Sequence, residues 1–205
     1  MRRFVSGWFA LLVVIIALSS GCIGGASEAT PTRSAPEEKI GGSRDLHRPF
    51  AIPTMAPGAA CPRTPGGRPN PDVGIALGSG PAYPVLGFEG NHAPPSPKGV
   101  VRLAAEDRKG NAYWHKTLWA VDPNYDGPIL IRGRGIDPQR PLWFVLPSTT
   151  VGGSERKVRE LHMRAEQSKS WRYGPSVTIL PGPGCYAFQV DGTSFTEVTV
   201  FEAAT

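Results

Sequence analysis

Residues 184–201, GCYAFQVDGTSFTEVTVF, decide how the rest of the chain is read. Residues 185–190 and 195–201 are rich in aromatic and β-branched side chains, the composition of paired strands. Between them, Asp191-Gly192 predicts a two-residue hairpin turn of the primed type, with glycine supplying positive φ. A C-terminal β-hairpin is the result. Moving back along the chain, short apolar runs alternate with turn signals, and strands are expected at 100–105, 112–121, 128–134, 142–146 and 176–180. In Ile129-Leu130-Ile131-Arg132-Gly133-Arg134, β-branched residues with outward arginines suit a half-buried strand. Trp114 and Trp119 have opposite parity in one strand, so at least one faces outward unless a bulge intervenes. Residues 160–166 (ELHMRAE) alternate polar and apolar in period two. Their helix propensity and a capping Ser154 argue the other way, and the alternation favours a strand. Glycine (25) and proline (22) make up nearly a quarter of the 205 residues, which disfavours long helices. The expected fold is all-β: an antiparallel sandwich over residues 61–205.

The N-terminus carries an address. Arg2 and Arg3 precede an uncharged run, residues 4–18 (FVSGWFALLVVIIAL), too short to span a bilayer comfortably at about 20 apolar residues. It fits the apolar core of a signal peptide, residues 1–21. Ser19-Ser20-Gly21-Cys22 resembles the lipobox of bacterial lipoproteins, with Ser19 where leucine is usual. The resemblance implies a diacylglyceryl group on Cys22 and cleavage just before it. Two acyl chains make anchoring stable where one does not. The expected localisation is therefore extracytoplasmic, tethered to the cell membrane or an outer membrane. Removing residues 1–21 leaves 184 residues with 20 basic against 17 acidic side chains, a net charge of +3. The basic residues are scattered, unlike the concentrated patch that nucleic acid demands. Residues 23–60 are rich in Gly, Ala, Ser, Thr, Pro and Glu, with Phe50 the only aromatic, and read as a flexible spacer. Residues 91–98 (NHAPPSPK) read as a proline-rich loop.

With Cys22 acylated, Cys61 and Cys185 remain as a pair in an oxidising compartment and are expected to be bridged. Closing so long a loop is worth about 4–5 kcal/mol by chain entropy.

The tail from Pro181, with Cys61-Pro62, the Trp-rich Tyr113–Trp119 run and Ile131–Arg134, resembles a group of uncharacterised exported bacterial proteins. In these a Gly-Cys-Trp/Tyr strand leads through a tight turn to a final apolar strand; here Tyr186 stands where Trp is more usual. The resemblance covers most of residues 61–201. It implies an immunoglobulin-like sandwich with paired cysteines and implies no activity.

Motifs of common enzymes are missing from the sequence: no Gly-x-Ser-x-Gly, His-Glu-x-x-His, Walker loop or Cys-x-x-Cys occurs. Gly182-x-Gly184-x-x-Ala187 matches a dinucleotide fingerprint in form, but Pro183 and the strand that follows forbid the required helix. Asp122-Pro-Asn124-Tyr-Asp126-Gly127 has the spacing of a calcium loop, yet Gly133 stands at the twelfth position where a bidentate Glu belongs. The same residues make ordinary turns. His92, His115 and His162 lack ligand spacing, and a zinc site would need the fold to assemble them. Tyr113, Trp114, Trp119, Trp143 and Trp171 are candidates for the core or for a sugar-stacking platform. The expectation is a non-enzymatic binding or structural module of the envelope, with no cofactor. The partners expected are the membrane, through the lipid on Cys22, and an envelope or cell-wall ligand. The alternatives are a small metal-dependent or glycan-acting enzyme and a calcium-stabilised adhesion module.

Overall fold

The computed structural model describes residues 46–86, 99–137, 139–146 and 155–205, all within one compact unit, Ile40–Thr205. The signal segment, Cys22, the spacer up to residue 45, the 91–98 loop with His92, and Ser154 lie outside the described residues. No helix among the described residues is long and apolar enough to cross a membrane.

Thirteen strands follow in chain order: β1 (Gly66–Gly67), β2 (Ala76–Leu77), β3 (Ala82–Val85), β4 (Val100–Arg102), β5 (Arg108–Lys109), β6 (Ala112–Val121) and β7 (Ile129–Asp137). Then come β8 (Trp143–Leu146), β9 (Arg156–Val158), β10 (Glu160–Met163), β11 (Arg172–Leu180), β12 (Gly184–Gly192) and β13 (Thr196–Ala204). The first sheet runs β1-β2-β3-β6-β11-β8-β9, with β5 also on β6; the second runs β10-β7-β12-β13-β4. All pairings are antiparallel except β13 with β4. The chain crosses repeatedly between the sheets, among other places from β6 to β7 and from β11 to β12. Pairing β6 with β11, and β12 with both β7 and β13, is the arrangement of an immunoglobulin-like sandwich. Tyr186, just past the β11–β12 corner, donates its hydroxyl to Gly182 O at 2.6 Å, the tyrosine corner of such domains. The 160–163 segment is a strand, as its alternation predicts.

The core forms where inward side chains of both sheets meet. Trp119 from β6 lies edge-on to Phe188 from β12 (5.0 Å) and Phe144 from β8 (6.3 Å), and Phe188 packs on Phe201 of β13 (4.9 Å). Trp119 also donates its indole N–H to Ser176 Oγ at 2.9 Å, so its one polar atom is satisfied in the interior. Gly133 makes room for this packing. A Cβ there would sit 3.0 Å from Phe188 and 3.1 Å from Leu142.

The C-terminal hairpin forms, but its turn lies two residues beyond Asp191-Gly192. Both residues stay in β12, Asp191 pairs with Thr196, and the Gly192 N–H donates to Phe195 O. The turn is therefore made at Thr193-Ser194. Two contacts hold the register. Asp191 is locked into a buried polar network, and Gly192 is pressed against Phe195 and Tyr125, where a Cβ would stand 2.1 Å from a Phe195 ring carbon.

A second difference concerns the spacer. Residues 46–60 do not trail away from the domain; they lie as a strap across the outer face of the second sheet. Leu46 is buried, Ile52 and Met55 pack on Ile136, Ala187 and Val200, and Cys61 is bonded to Cys185 on β12. The bridge expected from the sequence is thus present, with a sequence separation of 124 residues. Because of the strap, all of β12 after Gly184 is buried on both faces.

Trp119→Ala should lower unfolding stability by about 3–5 kcal/mol in denaturant titration, as expected for emptying a core tryptophan site. Trp143→Ala, on an exposed ring, should cost far less. Equal losses would contradict the assignment of Trp119 to the interior and Trp143 to the surface.

Candidate functional site

Outward-pointing polar side chains of β7 and β12 would face water in a bare sandwich. Here the strap covers them, and they bind it. Gln189 accepts the Ala51 N–H (2.7 Å) and donates to Pro49 O (3.1 Å). Arg132 donates to Arg48 O and to the Asp191 carboxylate (2.7 Å), and Asp191 also accepts from Gln189 and from Thr196 Oγ1. Arg48 reaches Thr193 O and Phe195 O, with its guanidinium 3.8 Å from Asp191. Phe50 closes the seam over Arg132, ring centroid 4.5 Å from the guanidinium carbon. Arg132 points outward as its parity predicts, yet it is buried. Its Nε has no hydrogen-bond partner among the described residues. This seam is structural in character: a desolvated ion pair whose members also hold main-chain groups of the strap.

The histidines disperse. His115 is buried on β6, and its neutral ring donates Nε2–H to Leu86 O at 2.6 Å. Burial pushes its pKa down from the ordinary value near 6.5, against the opposing pull of that hydrogen bond and of Asp107. His162 is exposed on β10 in the other sheet. The fold therefore does not assemble His115 with His162. It instead brings His162 near His47 of the strap, both ring nitrogens facing Glu160 Oε2 at 3.7 and 2.9 Å. Among the described residues, no group of three or more His, Cys, Asp and Glu side chains is arranged to hold a metal ion.

The Asp122–Gly127 segment is a tight connection between β6 and β7. Asp122 Oδ1 accepts the Asn124 N–H (2.8 Å) and its side-chain amide (2.7 Å), an Asx turn. Tyr125 is buried, donating to Pro128 O, and the exposed Asp126 gives its main-chain oxygen to Glu166. Asp122 thus uses an oxygen to close the turn itself. An open cleft beside it is lined by Pro123, Asn124, Asp126, Gln167, Ser168 and Lys169.

The outer face of the first sheet is different. Its half near β2 is capped: Tyr83 and Trp171 pack together with Val73 and Ala76, and Asn70 donates to Tyr173 OH at 2.8 Å. The other half carries an aromatic and basic surface. Ile179 of β11 pairs with Trp114 of β6 on one side and Trp143 of β8 on the other, which places all three on one face. Trp143 is 40% exposed and Tyr173, on the same face of β11, 45%. Lys109 Nζ lies 4.0 Å from the Trp114 ring centroid and Lys157 Nζ 5.3 Å; the Arg159 guanidinium sits 3.6 Å from the Trp143 ring. The opposite parities of Trp114 and Trp119 are both realised, one outward and one in the core. What the sequence did not reveal is the clustering of cations on these rings, because Lys109, Lys157 and Arg159 come from β5, β9 and the β9–β10 junction.

The chain matches no protein-family model, no curated protein and no solved structure.

Two outcomes test the buried groups. Asp191→Asn leaves the Arg132 guanidinium buried without its counter-charge and should cost about 3–5 kcal/mol in equilibrium unfolding. His115 binds its proton less readily folded than unfolded. Its contribution is therefore complete above about pH 6.5 and is lost as the pH falls from there toward the lower folded value. Unfolding measured from pH 7.5 downward should show that decline in the wild type and a shallower one in His115→Gln; parallel curves would contradict it.

Proposed function

We propose that the protein is a lipid-anchored binding module of the cell envelope, presenting the Trp114–Ile179–Trp143 face to an envelope ligand. The observation that carries this reading is that face: flat, partly exposed aromatic rings set among cations, on a sandwich whose other sheet is already covered by its own strap. Exposed apolar surface rimmed by polar groups is the usual mark of an interaction site. The N-terminal segment supports the location, since a charged start, an apolar run and a small-small-Gly-Cys site together describe a lipoprotein signal. The Cys61–Cys185 bridge supports it independently, because such bonds persist in oxidising compartments and are rare in the cytosol. In this reading the spacer shortens to the residues before Leu46, and the strap fixes the point at which the anchor's chain enters the domain.

Two measurements test the proposal. Cys22→Ser should abolish incorporation of labelled fatty acid and move the protein out of the membrane fraction; a variant still labelled and membrane-bound would remove the anchor from the proposal. Wild-type full-length protein in detergent should sediment with isolated cell-wall material, and Trp143→Ala should reduce the bound fraction severalfold. Sedimentation unchanged by that substitution would move the binding surface elsewhere.

A further inference from the structure

Resting on the binding-module reading, the chemistry of the open face names a ligand class: we infer that it binds an acidic glycan, a chain of sugar rings bearing carboxylate or phosphodiester groups. Trp114 and Trp143 flank the same Ile179, two strand spacings apart, about 10 Å. The outward residues of β11 continue from Ile179 through Val177 toward Pro175 and Tyr173, where the cap held by Asn70 begins. This is the exposed face of a sheet, running across three strands. It suits a linear ligand lying along the sheet, against the ring surface that the resting cations leave exposed.

The charges specify more than stacking. Lys109 and Lys157 rest on Trp114 and Arg159 rests on Trp143, so each ring carries positive charge at its own position. Among the described residues, none of these three cations forms an ion pair with a carboxylate. Arg159 donates through Nη1 to Pro141 O and Leu142 O, which orients the guanidinium while leaving further N–H groups for an anion. A neutral sugar chain would use the rings and leave the cations without a counter-charge. An acidic one satisfies both. Other partners fit less well. Single-stranded nucleic acid binds in a basic groove that tracks its backbone, whereas the cations here sit over the rings themselves. A peptide strand would add to a sheet edge, whereas Ile179 lies on a strand paired on both sides.

The test is affinity electrophoresis of the full-length protein in detergent. Gels would contain polygalacturonate, a phosphodiester-bearing mannan, neutral dextran or oligothymidylate. Retardation is expected in either or both of the first two gels, and which one separates carboxylate from phosphodiester recognition. It should fall at least about fivefold in Trp143→Ala and in the Lys109→Gln/Lys157→Gln double variant. It should vanish near about 1 M salt, where the screening length is about 3 Å. Circular dichroism and an intact disulfide would confirm that the variants are folded. Equal, salt-independent retardation by dextran would overturn the inference, as would stronger binding to oligothymidylate or acidic-polymer binding untouched by both variants. No retardation in any gel, with wall sedimentation retained, would overturn the ligand class and leave the binding module standing. Loss of both would end the two together.

Discussion

The carboxylate of Asp191 is completely removed from solvent in the middle of the outer face of the second sheet. A lone charge so placed would cost several kcal/mol, and the protein offsets this by surrounding it with Arg132, Gln189, Thr196 and, at longer range, Arg48. Two of those partners also hold main-chain atoms of the strap. The network therefore fixes the strap, and the strap in turn keeps water from the network. Strand β12 becomes the centre of the molecule as a consequence, with aromatic packing on one side and polar pairing on the other. The Cys61–Cys185 bond secures the far end of the same segment, so the strap is held along its length by three kinds of bond. The register of the C-terminal hairpin also follows from Asp191: a residue committed to a buried ion pair cannot serve in an exposed turn.

The two outer faces of the sandwich are built on opposite terms. On the second sheet, arginines meet a carboxylate, carbonyl groups and the ring of Phe50, all from the same chain. On the first, Lys109, Lys157 and Arg159 rest on tryptophan rings, with no carboxylate paired to them among the described residues. Both faces carry cations beside aromatics, but only the first leaves its charge for something outside the molecule. Among the described residues, the strap covers the outer face of the second sheet and leaves the Trp114–Ile179–Trp143 face of the first in the open.

Much of the architecture was legible in the sequence because strands announce themselves locally. Alternation at 160–163, opposite parity at Trp114 and Trp119, and the aromatic run before Asp191 each depend on neighbours in the chain. The cysteine pairing was legible for a different reason, since assigning Cys22 to the lipobox-like segment left only two. The turn at Thr193-Ser194 was not: Asp191-Gly192 is the better turn by propensity, and only contacts with Arg132, Thr196, Phe195 and Tyr125 displace it. Residues 46–60 look like spacer because proline, glycine and alanine make up over half of them. They are held through main-chain groups, Arg48 and the apolar contacts of Leu46, Ile52 and Met55, whose partners lie far off in the chain. The calcium-like spacing at 122–127 belongs to a turn that Asp122 closes on itself, and the histidine distribution gave no sign that His47 and His162 would share Glu160.

By itself, then, the sequence determined the strands, the sandwich class and the disulfide partners. Each follows from periodicity, from glycine and proline punctuation, or from the small number of cysteines. Tertiary structure alone decided where the polar residues of β7 and β12 find their partners, and which tryptophans share a face with which cations. Those relations join residues tens of positions apart, and they exist only once pairing across strands and packing across sheets set them side by side. The stretch at 184–201 shows both halves of the lesson. Its alternation makes it a hairpin, and its place beneath the strap decides where that hairpin turns.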